Sequence, residues 1–110
     1  MERRRSKRID VRMDAEIISG DASYSGIVEN ISEHGLCLET DSKDLLGTDT
    51  RFNPGTEFRV KFKIQSGEEI RLHCKVTWSF TAAPQGLKRK VGMKIIFPPP
   101  AYVDFYRNVT

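Results

Sequence analysis

Hydrophobic and polar residues alternate along most of the chain between Met13 and Phe97. The clearest run is Glu57–Ile64, in which every second side chain is apolar and three of the side chains between them are cations. Alternate side chains of a β-strand point to opposite faces of its sheet, so this pattern predicts a strand with one buried face. A second run follows at Ile70–Trp78, and the short polar connection between the two runs favours a β-hairpin.

Four further segments complete a set of six predicted strands. They are Ala15–Ile18, Ser25–Glu29, Gly35–Thr40 and Val91–Phe97. Asp41–Thr56 and Thr81–Leu87 contain proline and glycine, and we expect them to be connections without strand structure. Because six antiparallel strands in a small domain have edges that need closing, the pattern predicts an all-β fold, a six-stranded antiparallel β-barrel.

The end of the chain departs from this alternation. Pro98–Pro100 ends the last strand, since proline cannot donate a hydrogen bond to a ladder. Tyr102, Phe105, Tyr106 and Val109 then recur at the spacing of one face of a helix, which predicts a short C-terminal helix. The expected organisation is a single domain with a flexible basic arm over residues 1–12, a barrel over residues 13–97 and a helix over residues 98–110.

Length and composition fit this picture. A chain of 110 residues has the size of one domain. With 30% charged residues and a mean hydropathy of −0.46, it contains no apolar run long enough to span a bilayer, and we expect no membrane insertion. The basic start is not followed by the apolar segment of a signal peptide, so we expect a cytoplasmic protein with Cys37 and Cys74 as thiols.

Positive charge is concentrated at the start of the chain. Residues 1–8 carry five cations and one anion, whereas the remaining residues sum to a net charge of −1. The cations are Arg3, Arg4, Arg5, Lys7 and Arg8. The planar fork of arginine pairs with phosphates and with the O6/N7 edge of guanine, so the arm indicates an anionic partner. A solvated charge run without a specific ligand would have the same composition.

A second candidate site is the turn that connects the second and third predicted strands. Asn30 and Ser32 offer an amide and a hydroxyl, and Gly35 allows close approach of a ligand to the backbone. An ordinary β-turn, in which the two polar side chains bond their own backbone, would have the same composition.

Taken together, the two features resemble the PilZ family of bacterial cyclic di-GMP receptors. Arg4–Arg8 is similar to the RxxxR element of that family, and Asn30–Gly35 is similar to its [D/N]xSxxG element. Val76–Trp78 and Val91–Ile95 resemble its Trp-containing and Gly-containing strands. Asp21–Gly26 also fits DxSxxG, but it fills the turn before the strand that leads to Asn30, whereas Gly35 is followed by the apolar run Leu36–Leu38, as in the family. The resemblance implies a split-barrel, Greek-key type of β-barrel.

The resemblance also implies a ligand and a mode of action. Arg4 and Arg8 would contact guanine edges and phosphates of cyclic di-GMP, Asn30 and Ser32 would bond a guanine and a phosphate, and Gly35 would permit close approach. Arg3 is similar to an additional arginine of members that bind an intercalated ligand pair. Binding would order the arm and change a surface that an unidentified partner protein recognises, without catalysis or a cofactor. Asn30 replaces the more common aspartate with a neutral acceptor.

Two alternatives remain open. The chain could be a PilZ-fold adaptor that binds no nucleotide, or a small nucleic-acid-binding barrel that uses the cations of its outer face. An enzyme or a zinc site is disfavoured, because His73 and Cys74 are adjacent on a predicted strand and point to opposite faces. We expect no nucleic-acid polymer as a partner, and the sequence is compatible with a monomer or a homodimer.

Overall fold

The computed structural model describes residues 7–41, 51–82 and 88–109. Within them, the strands are β1 (Ile9–Ser19), β2 (Ala22–Ser32), β3 (Gly35–Asp41), β4 (Glu57–Lys63), β5 (Glu69–Ala82) and β6 (Lys88–Ile95), followed by helix α1 (Pro100–Val109). The strands form a closed barrel in the order β1-β2-β3-β6-β5-β4, with every neighbouring pair antiparallel. β4 lies beside β1 and β3 beside β6, which is Greek-key connectivity. The predicted antiparallel barrel with a short C-terminal helix is confirmed.

The core lies inside the barrel and is built from the apolar half of each alternating strand. Val28, Leu38, Val60, Leu72 and Val91 are at most 2% exposed. Full burial of such a side chain contributes about 1.5–3 kcal/mol, so the alternation itself stabilises the closed sheet. Cys74 is buried in the same core, and this burial raises the pKa of its thiol to about 12. Both cysteines are thiols, as expected.

The first strand begins earlier than the alternating run at Met13 indicates. β1 starts at Ile9, and Ile9, Val11 and Met13 are all partly buried against the core. Residues 9–12 therefore belong to the barrel, and the basic arm is shorter than the expected residues 1–12. The physical reason is that the alternation already starts at Ile9, where the apolar side chains follow directly on the cations.

The last two strands also differ from their predicted limits. β6 ends at Ile95, and Ile96 donates its N–H to the carbonyl of His73 at 2.8 Å. Phe97, expected on the buried face, has a φ of 51° and is 91% exposed, because this backbone conformation turns the chain out of the ladder. β5 extends through Thr81 to Ala82, two residues into the predicted connection, and residues 83–87 of that connection lie outside the described residues.

A bulge in β5 changes which side chains face the core. Val76 pairs with Met93, but Trp78 pairs with Gly92, so β5 has one extra residue here and its alternation shifts. Trp78 consequently lies on the outer surface, 42% exposed and stacked on Phe80 with ring centroids 5.5 Å apart. A Cβ atom on Gly92 would lie 2.2 Å from the indole ring, so the ring packs directly on this glycine. Continued alternation through Ile70–Trp78 would place Trp78 on the buried face, and the bulge turns it outward instead.

Phe52 is a core residue that the strand pattern does not reveal. It lies in the predicted polar connection Asp41–Thr56, yet it is 1% exposed and packs against Tyr24 and Phe58 at centroid distances of 6.0 and 5.0 Å. Residues 42–50 of this connection lie outside the described residues. The connection therefore contributes an aromatic side chain to the core near the β1–β2 hairpin.

Helix α1 packs against the barrel through its aromatic face. Tyr102 is fully buried, and Phe105 packs on Phe62 with ring centroids 6.0 Å apart. The helix begins at Pro100, a favourable residue for a first helical position because its φ is already helical. No helix in the described part of the chain has the length and apolar character that crossing a membrane requires.

Candidate functional site

The pairing of β1 with β2 brings the root of the arm to the candidate turn. Ile9 pairs with Ile31 and Asp10 with Asn30. Arg8, directly before β1, therefore lies beside the end of β2. Its guanidinium Nη1 donates a hydrogen bond to Oδ1 of Asn30. Arg8 is exposed to solvent. Two residues that lie 22 positions apart in the sequence are thus joined by a direct side-chain contact.

Ser32 and Gly35 close the turn between β2 and β3. The Ser32 hydroxyl donates to the carbonyl of Gly35 at 3.4 Å, and the two residues also pair in register. A Cβ atom on Gly35 would lie 2.9 Å from the carbonyl oxygen of Met93, so β6 leaves room only for glycine. Since Ile31 is buried, its neighbours Asn30 and Ser32 both point to the outer face of the barrel.

Two tyrosines of α1 contact both parts of this site. Tyr102 donates its hydroxyl hydrogen to the carbonyl of Ser32 at 2.6 Å. Tyr106 donates to the carbonyl of Lys7 and accepts a hydrogen bond from the Lys7 N–H at 3.1 Å. Burial raises the pKa of Tyr102, so its phenol remains a neutral donor. The sequence pattern placed these side chains only on an apolar helix face; their phenol groups were the signal for a polar role.

The sheet surface beside the site holds a compact ion-pair cluster. Lys90 contacts both carboxylate oxygens of Glu29 at 2.6 and 2.7 Å and one oxygen of Glu39 at 3.4 Å. The hydrogen bond to Glu29 is the main cause of a raised Lys90 pKa, so its amine remains charged at neutral pH. Cys37 pairs with Asn30 in register, and burial raises the pKa of its thiol. The cross-strand neighbour of Asn30 is therefore a neutral thiol, and Lys90, which contacts the adjacent residue Glu29, is already paired with carboxylates.

The structure brings together four of the six predicted site residues. Arg8 and Asn30 are hydrogen-bonded, and Ser32 and Gly35 follow at the end of the same strand pair. Arg3 and Arg4 lie outside the described residues. The competing DxSxxG segment, Asp21–Gly26, lies mostly in β2 at the opposite end of β1, where Ser23 donates to Glu16.

A groove lies elsewhere on the barrel. It has a volume of about 920 Å³ and opens where β1 and β4 cease to pair, beyond Ala15 and Phe62. Apolar side chains such as Phe105 line it, and its charged side chains have both signs. None of the four candidate residues lines this groove. Its mixed charge gives it no preference for an anion, so we place the candidate site at Arg8 and the β2–β3 turn.

The chemistry of the described residues adds one further observation. Among residues 7–41, 51–82 and 88–109, no group of three or more His, Cys, Asp or Glu side chains could hold a metal ion. His73 bonds Glu57 at 2.7 Å on the outer face, whereas Cys74 is buried inside the barrel. The two side chains point in opposite directions, as their adjacency on a strand requires.

Similar solved structures share this architecture at low sequence identity. The inhibitor of motility of Bacillus subtilis (MotI/DgrA) is 19% identical with a TM-score of 0.72 over 98% of this chain and 51% of its own. The PilZ domain of YcgR from Escherichia coli, solved with c-di-GMP, is 9% identical with a TM-score of 0.73 over 98% of this chain and 88% of its own. PlzA of Borreliella burgdorferi, solved in complex with c-di-GMP, is 13% identical with a TM-score of 0.68 over 94% of this chain and 48% of its own.

At these identities the similarity establishes the fold. The chain spans about half the length of the Bacillus and Borreliella proteins. No curated protein matches it in sequence. The sequence does match the PilZ domain over residues 2–103, which is most of its length. The chain therefore belongs to the PilZ domain family.

Proposed function

We propose that this protein is a cyclic di-GMP receptor that binds the nucleotide between its arginine arm and the β2–β3 turn. The observation that carries the proposal is the direct contact of Arg8 with Asn30 beside Ser32 and Gly35. Two of the similar structures contain c-di-GMP, which supports the same ligand here. Arg3 and Arg4 belong to the proposed site through the arm that leads to Arg8.

The polar groups of the site match the guanine bases and the phosphates of the ligand. A guanidinium has five N–H donors, and the contact with Asn30 uses one, so Arg8 retains a fork for a guanine edge or a phosphate. Oδ1 of Asn30 accepts from Arg8, which leaves its amide hydrogens for acceptors on guanine. The Ser32 hydroxyl can turn from the Gly35 carbonyl to a phosphate oxygen. Binding changes no covalent bond of the nucleotide.

Charge explains why the arm would respond to the ligand. Residues 1–8 carry a net charge of +4, and cyclic di-GMP is a dianion. Neutralising these cations removes their mutual repulsion and favours an ordered arm. The ordered arm would present a new surface to a partner protein in the cytoplasm. Arg3, directly before the RxxxR element, supports binding of two intercalated ligand molecules.

One observation favours a second candidate, binding of single-stranded nucleic acid. Trp78 and Phe80 form a stacked and exposed aromatic pair on the outside of the barrel, and such pairs serve as stacking platforms for bases. The adjacent cation Lys90, however, is paired with Glu29 and Glu39. We expect no mobility shift of single-stranded oligonucleotides at about 0.15 M salt.

Titration calorimetry with cyclic di-GMP tests the proposed function. We expect saturable binding, with two nucleotides per chain if the intercalated pair forms. Cyclic di-AMP is the matched control, because adenine lacks the O6 acceptor that arginine recognises, and it should give no saturable heat. Binding of one nucleotide per chain would exclude the intercalated pair. Absence of any binding to cyclic di-GMP would contradict the receptor role and favour the adaptor.

A further inference from the structure

The root of the arm is hydrogen-bonded to Tyr106 of the C-terminal helix. The Tyr106 hydroxyl contacts both backbone polar groups of Lys7, 99 residues away in the sequence. We propose that Tyr106 is a positioning residue for nucleotide binding, which holds Lys7 so that the next side chain, Arg8, points toward Asn30. This inference rests on the proposed function and adds a residue outside the two sequence elements.

The contact matters because Lys7 precedes the first strand. β1 begins at Ile9, so the sheet ladder does not include Lys7, and its N–H and C=O bond the phenol of Tyr106 instead. Two hydrogen bonds to one residue restrict both its position and its orientation. The side chain of Arg8 leaves the backbone immediately after this restricted peptide.

Tyr106 is itself held by a rigid support. Its ring stacks on that of Tyr102 at a centroid distance of 6.5 Å and an interplanar angle of 18°. Tyr102 is fully buried and bonds the carbonyl of Ser32. These two tyrosines are four residues apart and lie on one face of α1. One turn of helix thus contacts the arm root and the β2–β3 turn, and it sets the spacing between the two halves of the site.

The substitution Tyr106→Phe tests this role with little change in shape. It keeps the ring that stacks on Tyr102 and removes only the hydroxyl. We expect the Kd for cyclic di-GMP to rise about fivefold to tenfold, as for the loss of one or two hydrogen bonds, with Tm nearly unchanged. Hydrogen exchange of the Lys7 amide should become faster, because its acceptor is lost.

Tyr24→Phe is the matched control. Tyr24 pairs with Ile17, far along β1 from Asp10, and its ring packs on Phe52. The affinity of Tyr24→Phe for cyclic di-GMP and the exchange rate of its Lys7 amide should equal those of the parent. Equal affinity of Tyr106→Phe and the parent would overturn the positioning role but leave the proposed function intact. A lower affinity accompanied by a large fall in Tm would replace positioning with a general structural role. A parent that does not bind cyclic di-GMP would overturn both proposals.

Discussion

Replacing Arg8 with alanine is expected to weaken binding of cyclic di-GMP by about 2–3 kcal/mol, or about 30-fold to 150-fold in Kd. The substitution removes a charged donor that contacts Asn30 and has further N–H groups for the ligand. Because Arg8 is exposed and precedes β1, its loss should change Tm little. Calorimetric titration and thermal unfolding of the same samples measure the two effects separately.

Two variants show whether the effect of Arg8→Ala depends on site geometry or on charge alone. Arg8→Lys keeps the charge but lacks the planar fork, and it should recover only part of the affinity. Arg59→Ala removes an exposed cation of β4, which pairs with Ile18 at the far end of β1, and it should bind nearly as well as the parent. If Arg8→Ala and Arg59→Ala weaken binding equally, Arg8 acts only through net charge and its assignment to the site is wrong.

The largest expected effect on stability is that of Phe52→Ala. The side chain is 1% exposed between Tyr24 and Phe58, and its removal leaves a cavity that the barrel can fill only in part. Phenylalanine-to-alanine changes in such positions cost about 3–5 kcal/mol, a large part of the stability of a small domain. Urea unfolding should show this loss as a lower midpoint with an unchanged slope.

Phe52→Leu serves as the matched control, because leucine fills most of the same space and should cost much less. Phe52 contacts Tyr24 near the β1–β2 hairpin, whereas Arg8 lies at the other end of β1. Folded Phe52→Ala protein should therefore bind cyclic di-GMP nearly as the parent does. A loss of stability below about 1 kcal/mol would show that Phe52 is not a core residue.

The barrel could be predicted because each of its strands has one buried face and one solvent-exposed face. Phe58, Val60 and Phe62 are all 3% exposed or less, while the cations between them face outward, as the alternation in β4 requires. The same reasoning fails where the backbone leaves regular geometry. The bulge before Trp78 turns that side chain outward, and the positive φ of Phe97 takes it out of the ladder. Neither irregularity has a signal in the hydrophobic pattern.

The candidate site could be predicted from the sequence only through its two short elements, RxxxR and [D/N]xSxxG. Arg8 and Asn30 meet because of the β1–β2 register, which spacing along the chain does not specify. The core position of Phe52 and the contact of Tyr106 with Lys7 could not be predicted, because Phe52 enters the core from a polar connection and Tyr106 bonds the arm root through its hydroxyl. Both depend on contacts between segments that are distant in sequence.

Mapping of amide chemical shifts during titration with cyclic di-GMP tests the central claim most directly. If the arm and the β2–β3 turn form one nucleotide site, the largest shift changes should lie at Lys7–Ile9 and Asn30–Leu36, and both sets should saturate together. Arg8→Ala should abolish or strongly weaken both sets at the same ligand concentration. Shift changes confined to the groove between β1, β4 and α1 would contradict the account. Shift changes at the β2–β3 turn that persist unaltered in Arg8→Ala would contradict it as well.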